Sequence, residues 1–335
     1  MSDMWWASLG QWRAYFLEPM LVFIMLVGRI RKGVTMAPVD AAGRVSINDL
    51  ILFLALSTIP VSLVALAQKF TGALYPPSLW DDSLGGRVTS FFTSPNAVGL
   101  YLGPLLLLTL GLIWQRSKRR WLFIVYCLLF IANLAALLFT KSLGAWIAVG
   151  IGLILFTYLI GYKKTTLTAL VASAALIISV LPSFSLAKSQ SLANRLTLWR
   201  YSWSYLTESP KNFLFGTGLR QFFRKIQKPH YDAKELERLI YPHNIFLNFW
   251  TEIGLLGLVG FLGLYFSLLV TSYSLYKHSD KILGATLLAT LLAILIHGLI
   301  DVPYFKNDLA FVFWIIATII MGTATAQQKS LAKIG

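Results

Sequence analysis

Charged residues are scarce in this chain. Only 13% of its 335 residues are Asp, Glu, Lys or Arg, against about 25% in a soluble domain. The shortage excludes a fold whose whole surface faces water and makes lipid part of the solvent. Cysteine is nearly absent. The single Cys127 excludes an internal disulfide framework or a thiolate metal site within the chain, and in its apolar run it reads as a small hydrophobe. Histidine is limited to His230, His243, His278 and His297, and no spacing among them suggests zinc. There is no Walker-type phosphate loop and no Gly-x-Ser-x-Gly elbow. Acidic residues number 14 against 29 Lys and Arg, for a net charge of +15. In a soluble chain that excess points to nucleic acid. In a lipid-embedded one it points first to basic cytoplasmic loops and anionic lipid headgroups. The expected surroundings are therefore membrane lipids, not nucleic acid.

What the chain has in quantity is apolar: 57% of residues are hydrophobic. Nine stretches are long enough to span, near 14–30, 47–68, 96–114, 121–140, 144–162, 165–186, 252–276, 282–300 and 308–326, since about 20 helical residues cross the hydrocarbon. They lack the alternation of barrel strands, and helices satisfy their own backbone groups in lipid. The expectation is an all-α, polytopic bundle of about nine spans, a single membrane domain over 1–335. Five short basic clusters fix its orientation: Arg29, Arg31, Lys32 and Arg44; Arg116, Lys118, Arg119 and Arg120; Lys163 and Lys164; Lys277 and Lys281; Lys329 and Lys333. With nine spans all five share one side, which is then cytoplasmic. The N-terminus falls outside, although Met1 to Leu17 lacks a signal-peptide design. The segment 187–242 falls on the outer side too. It holds ten basic residues and four acidic ones, together with Trp199, Tyr201, Trp203, Tyr205, Phe213, Phe215, Phe222 and Phe223. We read it as amphipathic helices near the interface, with an anionic partner outside.

Four constellations carry chemistry. Gly85-Gly86-Arg87, followed by Ser94-Pro95-Asn96, offers free backbone N–H groups and a planar guanidinium fork to an anion. A snorkelling interfacial Arg87 is the structural alternative. Arg195 and Trp199 are four apart on one helix face, where an indole pre-orients a guanidinium; an amphipathic surface helix reads the same way. His243-Asn244 sits where the outer loop re-enters an apolar helix. An imidazole titrating near neutrality can take a hydroxyl proton there, or be an ordinary polar residue at a helix start. His297 and Asp301, four apart near an outer helix end, are costly in lipid and suit either function or a structural pair with each other. Asp81-Asp82 fits a divalent ion or, more simply, a solvated turn.

In order, these motifs are Gly-Arg with Ser-Pro-Asn; Arg195-x-x-x-Trp199 with Phe215-Gly216-x-Gly218; and His243-Asn244-x-Phe246-Leu247 with Glu252-x-Gly254-Leu-Leu-Gly-Leu. Over residues 85–310 the set resembles the O-antigen ligase and polymerase family of bacterial membrane glycosyltransferases. The resemblance implies a GT-C-like enzyme of the inner membrane that transfers a glycan from an undecaprenyl diphosphate carrier to an acceptor hydroxyl on the outer face, with inversion, no nucleotide sugar, no cofactor and no metal. It implies diphosphate contacts for Arg87 and Arg195, a weaker one for Arg220 just after Gly216-x-Gly218, and a general base in His243. Trp199, Asn244, His297 and Asp301 are supporting candidates. Ser142-Leu143-Gly144 stands where members often carry Ser-Arg-Gly, with Lys141 as the nearest charge. Members usually have around twelve helices, so the chain is expected to be an N-terminally shortened one.

Alternatives remain at this stage. A glycan polymerase or a protein O-oligosaccharyltransferase differs only in the acceptor, which no residue names. A lipid-glycan flippase is a different class, expected to show internal repeats and mid-membrane charge. Here polar residues instead crowd the outer face.

Overall fold

The computed structural model describes residues 5–30, 45–75, 85–115, 120–180, 186–230 and 239–331. The Asp81-Asp82 pair and several of the basic loop residues named above, such as Arg31, Lys118 and Lys333, lie outside them. In chain order the helices are α1 (Trp5–Trp12), α2 (Glu18–Arg29), α3 (Ile47–Thr71), α4 (Pro95–Trp114), α5 (Arg120–Phe139), α6 (Leu143–Ile160), α7 (Lys163–Val180), α8 (Leu186–Thr207), α9 (Pro210–Phe215), α10 (Ile245–His278), α11 (Lys281–Gly298) and α12 (Asn307–Leu331). Among the described residues there is no strand, only an isolated bridge between Ile30 and Val45. The chain is an all-α polytopic bundle.

Seven of the described helices are long and apolar enough to cross a membrane: α3, α4, α5, α6, α10, α11 and most of α12. Two expected stretches are not among these seven. The stretch near 14–30 runs through a π-turn at Arg13–Leu17 into α2, with helical backbone at both junctions. The stretch near 165–186 contributes α7, 18 residues long, largely exposed where its side chains are described.

The contacts divide the chain into two compact units. The first comprises Met1–Leu21, Ile178–Ser267 and His297–Phe311; the second comprises Val22–Ile177, Leu268–Ile296 and Val312–Gly335.

The second unit is built around α4. Its start is set by Ser94, whose hydroxyl accepts from the Asn96 N–H, followed by Pro95 in the first turn. Val98, Leu102 and Leu106 of α4 pack with Val61 and Ala65 of α3, Ala136 and Leu137 of α5, and Ala145 and Val149 of α6. Lower on the same helix, Leu107 joins Ala148 and Phe156 of α6 and the alanine row Ala285, Ala289 and Ala293 of α11. Small residues permit this approach, the usual device of helix packing in lipid. On α5, Trp121, Ile124, Leu128 and Ile131 are exposed at helical spacing, a stripe suited to lipid.

In the first unit, α8 packs Leu198 against Phe222 and Ile226, and α10 is broken. Gly254 has φ 81° and ψ −179°, so the helix is interrupted there. Phe249 and Phe261 stack with ring centroids 4.1 Å apart. In a straight helix residues twelve apart lie about 18 Å apart, so the interruption is a sharp bend. Phe249 also meets Tyr304 and Phe305, which ties the bend to the loop after α11.

A Cβ on Gly111 would run into the Thr286 side chain. Gly111→Leu is therefore expected to destabilise the second unit by about 1–3 kcal/mol, read as a lower midpoint of thermal unfolding in detergent.

Candidate active site

His243 lies at the corner where the loop turns into α10. Asn244 begins the helix: its Oδ1 accepts from the Phe246 and Leu247 N–H groups, both at 3.0 Å, and its Nδ2 donates to the Leu299 carbonyl at 3.0 Å. The backbone of His243 is left-handed, φ 53°, a region that His enters more readily than bulkier residues. Its Nδ1 lies 3.3 Å from Asp301 Oδ1, and the side chains are 14% and 4% exposed. The Val302 N–H also donates to that carboxylate oxygen, at 2.9 Å. Burial works to raise the Asp301 pKa. The hydrogen bond and charge of His243, with His297 and Lys306, outweigh it and hold the carboxyl below its usual range. An ionised carboxylate only accepts, so Nδ1 donates, and in the neutral imidazole the lone pair is then on Nε2.

Sequence spacing allowed a pair between Asp301 and His297. The structure gives the Asp301 carboxylate to His243 instead, while the Asp301 N–H bonds the His297 carbonyl at 3.0 Å. His297 is buried, 4% exposed. The charges of Asp301, Arg195 and Lys306 are within its electrostatic reach.

Trp199 joins the second constellation to the third. Its Nε1–H donates to the Pro242 carbonyl at 2.8 Å, bracing the residue before His243. One turn earlier on α8, Arg195 is half-buried. Its guanidinium makes no hydrogen bond or ion pair to another described residue, so its five donors remain for a ligand. Arg195, Trp199, His243, Asn244, His297 and Asp301 are thus linked within one unit, and Lys306 joins them.

Arg220 belongs to the same unit but to a different cluster. The turn that carries it docks on the bend of α10. Thr217 donates to the Thr251 carbonyl through its N–H, at 2.6 Å, and through its hydroxyl, at 2.9 Å. The Arg220 N–H donates to the Glu252 carboxylate, and Lys225 Nζ donates to the Thr217 carbonyl at 2.7 Å. A Cβ on Gly216 would strike the Trp250 and Thr251 carbonyls, and one on Gly254 the Leu214 carbonyl. Both glycines are needed for the approach. The guanidinium of Arg220 is exposed. Reading the sequence alone leaves Glu252 as an ordinary structural residue; the structure makes it the anchor of this turn. The available signal was an acid two residues before a glycine inside an apolar run.

Arg87 lies in the second unit. Its Nε donates to the Thr140 carbonyl at 2.8 Å and its Nη2 to Asn96 Oδ1 at 3.1 Å. The Val88 N–H bonds the Phe139 carbonyl at 3.2 Å, and Lys141 Nζ bonds the Gly85 carbonyl at 3.0 Å. Gly-Arg-Val therefore fastens the turn at Thr140 to Ser142. The next residues are held by Gln68, whose Oε1 accepts the Thr89 and Ser90 N–H groups at 2.9 and 2.7 Å.

Among the described residues no group of three or more His, Cys, Asp or Glu is placed to hold a metal ion. Residues 128–262 match the family model described as O-antigen ligase. That stretch, 135 of the 335 residues, is similar to the O-antigen ligase family. The matched stretch includes Arg195, Trp199, Arg220, His243 and Glu252, while Arg87 and the loop with Asp301 lie beyond it. Curated proteins yielded no match. The apolar helices make this a multi-pass membrane protein, and the match supports an enzyme of the glycosyltransferase type.

Because the Asp301 pKa is depressed in the folded state, its contribution to stability is complete above the ordinary carboxylate pKa of about 4 and fades as pH falls below it. Asp301→Asn is expected to lose about 1.5–3 kcal/mol near pH 7. The gap to wild type, followed by thermal unfolding, narrows as pH drops below that value.

Proposed function

We propose that the protein transfers a glycan from an undecaprenyl diphosphate carrier to an acceptor hydroxyl at the outer face of the cytoplasmic membrane. The observation that carries the reading is the His243–Asp301 bond, which leaves Nε2 of the neutral imidazole as a base in the unit that also holds Arg195, a residue within electrostatic reach of His297 and inside the stretch similar to O-antigen ligases. The acceptor oxygen attacks the anomeric carbon. The bond from that carbon to the diphosphate oxygen breaks, and its electron pair leaves with the diphosphate. His243 Nε2 takes the acceptor proton. Attack opposite the leaving group inverts the anomeric centre, without the carboxylate nucleophile of a retaining glycosidase. Arg195 and Arg220 are the proposed diphosphate ligands, since charge-assisted donors gain strength as the leaving oxygen becomes an anion. Arg87 lies in the second unit with two of its donors committed to Thr140 and Asn96, and the proposed site is built from residues of the first unit.

For orientation we count α7 as a span: Lys163-Lys164 and Lys277 with Lys281 then share one side, and the long loop carrying Arg195 and His243 lies on the other. We place the chemistry on the outer face and leave the acceptor unnamed.

The test is turnover of purified protein in liposomes, with a lipid-diphosphate glycan and an acceptor. His243→Ala is expected to lower kcat about 10²–10⁴-fold, and Arg195→Ala to lower kcat/KM about 10²–10³-fold. A folded His243→Ala protein with unchanged turnover overturns the proposed base.

A further inference from the structure

We infer that Glu252 is a positioning residue that sets the direction of the Arg220 side chain, and that the bend in α10 serves to deliver its carboxylate to the Arg220 turn. The inference rests on the reading of Arg220 as a diphosphate ligand and extends it.

In an unbroken helix the Thr251 carbonyl accepts the N–H four residues on. At the Gly254 break it accepts from Thr217 instead, through two donors. Glu252, the next residue, is 5% exposed. One of its oxygens takes the Arg220 N–H; the other has no hydrogen-bond partner among the described residues. A buried acid is costly and is rarely kept for packing alone. What this one obtains is the backbone N–H groups of Arg220 and Phe222, at the end of a turn with three left-handed residues, Gly216, Gly218 and Arg220, at φ 62°, 87° and 61°. The first two are glycines, which enter that region freely. Arg220 is not, and its backbone is the one that the carboxylate holds. Ser8 adds a bond from its hydroxyl to the neighbouring Leu219 carbonyl at 2.9 Å. With its backbone pinned from beneath, Arg220 directs its guanidinium outward, where it is exposed.

A double-mutant cycle in proteoliposomes tests this, with kcat and donor KM measured separately and thermal unfolding measured in parallel. Arg220→Gly removes the guanidinium and relieves the left-handed backbone. It is expected to lower kcat/KM for the donor about tenfold or more, without loss of thermal stability. Glu252→Ala is expected to lower kcat/KM several-fold, with Glu252→Gln, which retains an acceptor oxygen, in between. In the Arg220→Gly background neither Glu252 change is expected to lower activity further, because aim is irrelevant once the guanidinium is gone. Penalties that multiply in the double variant overturn the inference and leave the Arg220 reading standing. Wild-type kcat/KM in Arg220→Gly removes the Arg220 reading, and this inference with it. Thr217→Val loosens the same turn without touching the buried acid and serves where Glu252→Ala does not fold. It must show the same dependence on Arg220, and an independent penalty again overturns the inference.

Discussion

A peptide group in hydrocarbon has no water to turn to, so every break in a membrane helix has to find its partners within the protein. The bend of α10 at Gly254 is such a break, and the first unit is organised around satisfying it. The Thr251 carbonyl is met by Thr217, the Trp250 indole donates to the Phe213 carbonyl at 2.7 Å, and the Phe249 ring is covered by Phe261 and Phe305. These contacts draw the loop after α9 and the loop after α11 onto one short helical segment, Ile245 to Ile253. That segment begins one residue after Asn244 and two after His243. The placement of the imidazole is thus a consequence of how a backbone defect is closed.

Acidic residues are few, and two of them have related tasks. Asp301 fixes the tautomer and direction of His243, and Glu252 fixes the backbone of Arg220. Both are buried and neither is aimed at open solvent. Arg195 and Arg220 sit on the more accessible side of these clusters, with donors available to an anion. In this arrangement the acidic side chains belong to the support and the guanidinium groups to the ligand side, as the proposed capture of an anionic leaving group requires.

Much of this was legible in the sequence. Runs of apolar residues mark the spanning helices because length in lipid is a hard constraint. The four motifs were visible as polar residues placed where apolar ones are expected. Their connections were not. Trp199 meets Pro242, Asn244 meets Leu299 and Arg87 meets Thr140 through backbone carbonyls, and a carbonyl leaves no trace in residue identity. Spacing suggested Asp301 for His297, but the carboxylate meets His243, a partner 58 residues away in the chain. The interruption at Gly254 sits inside an apolar run whose hydropathy is unchanged by it. The π-turn at Arg13–Leu17 likewise leaves no mark on the composition of its stretch.

The Phe249–Phe261 stack has a mechanical implication. Straightening α10 would separate two aromatic faces that are otherwise 4.1 Å apart and strip Thr217 from Thr251. The short segment below His243 is therefore a rigid bracket, not a hinge. Under the proposed reaction, a long lipid-linked chain is admitted and released by the motion of some other element, while the corner at His243 holds its shape from one cycle to the next.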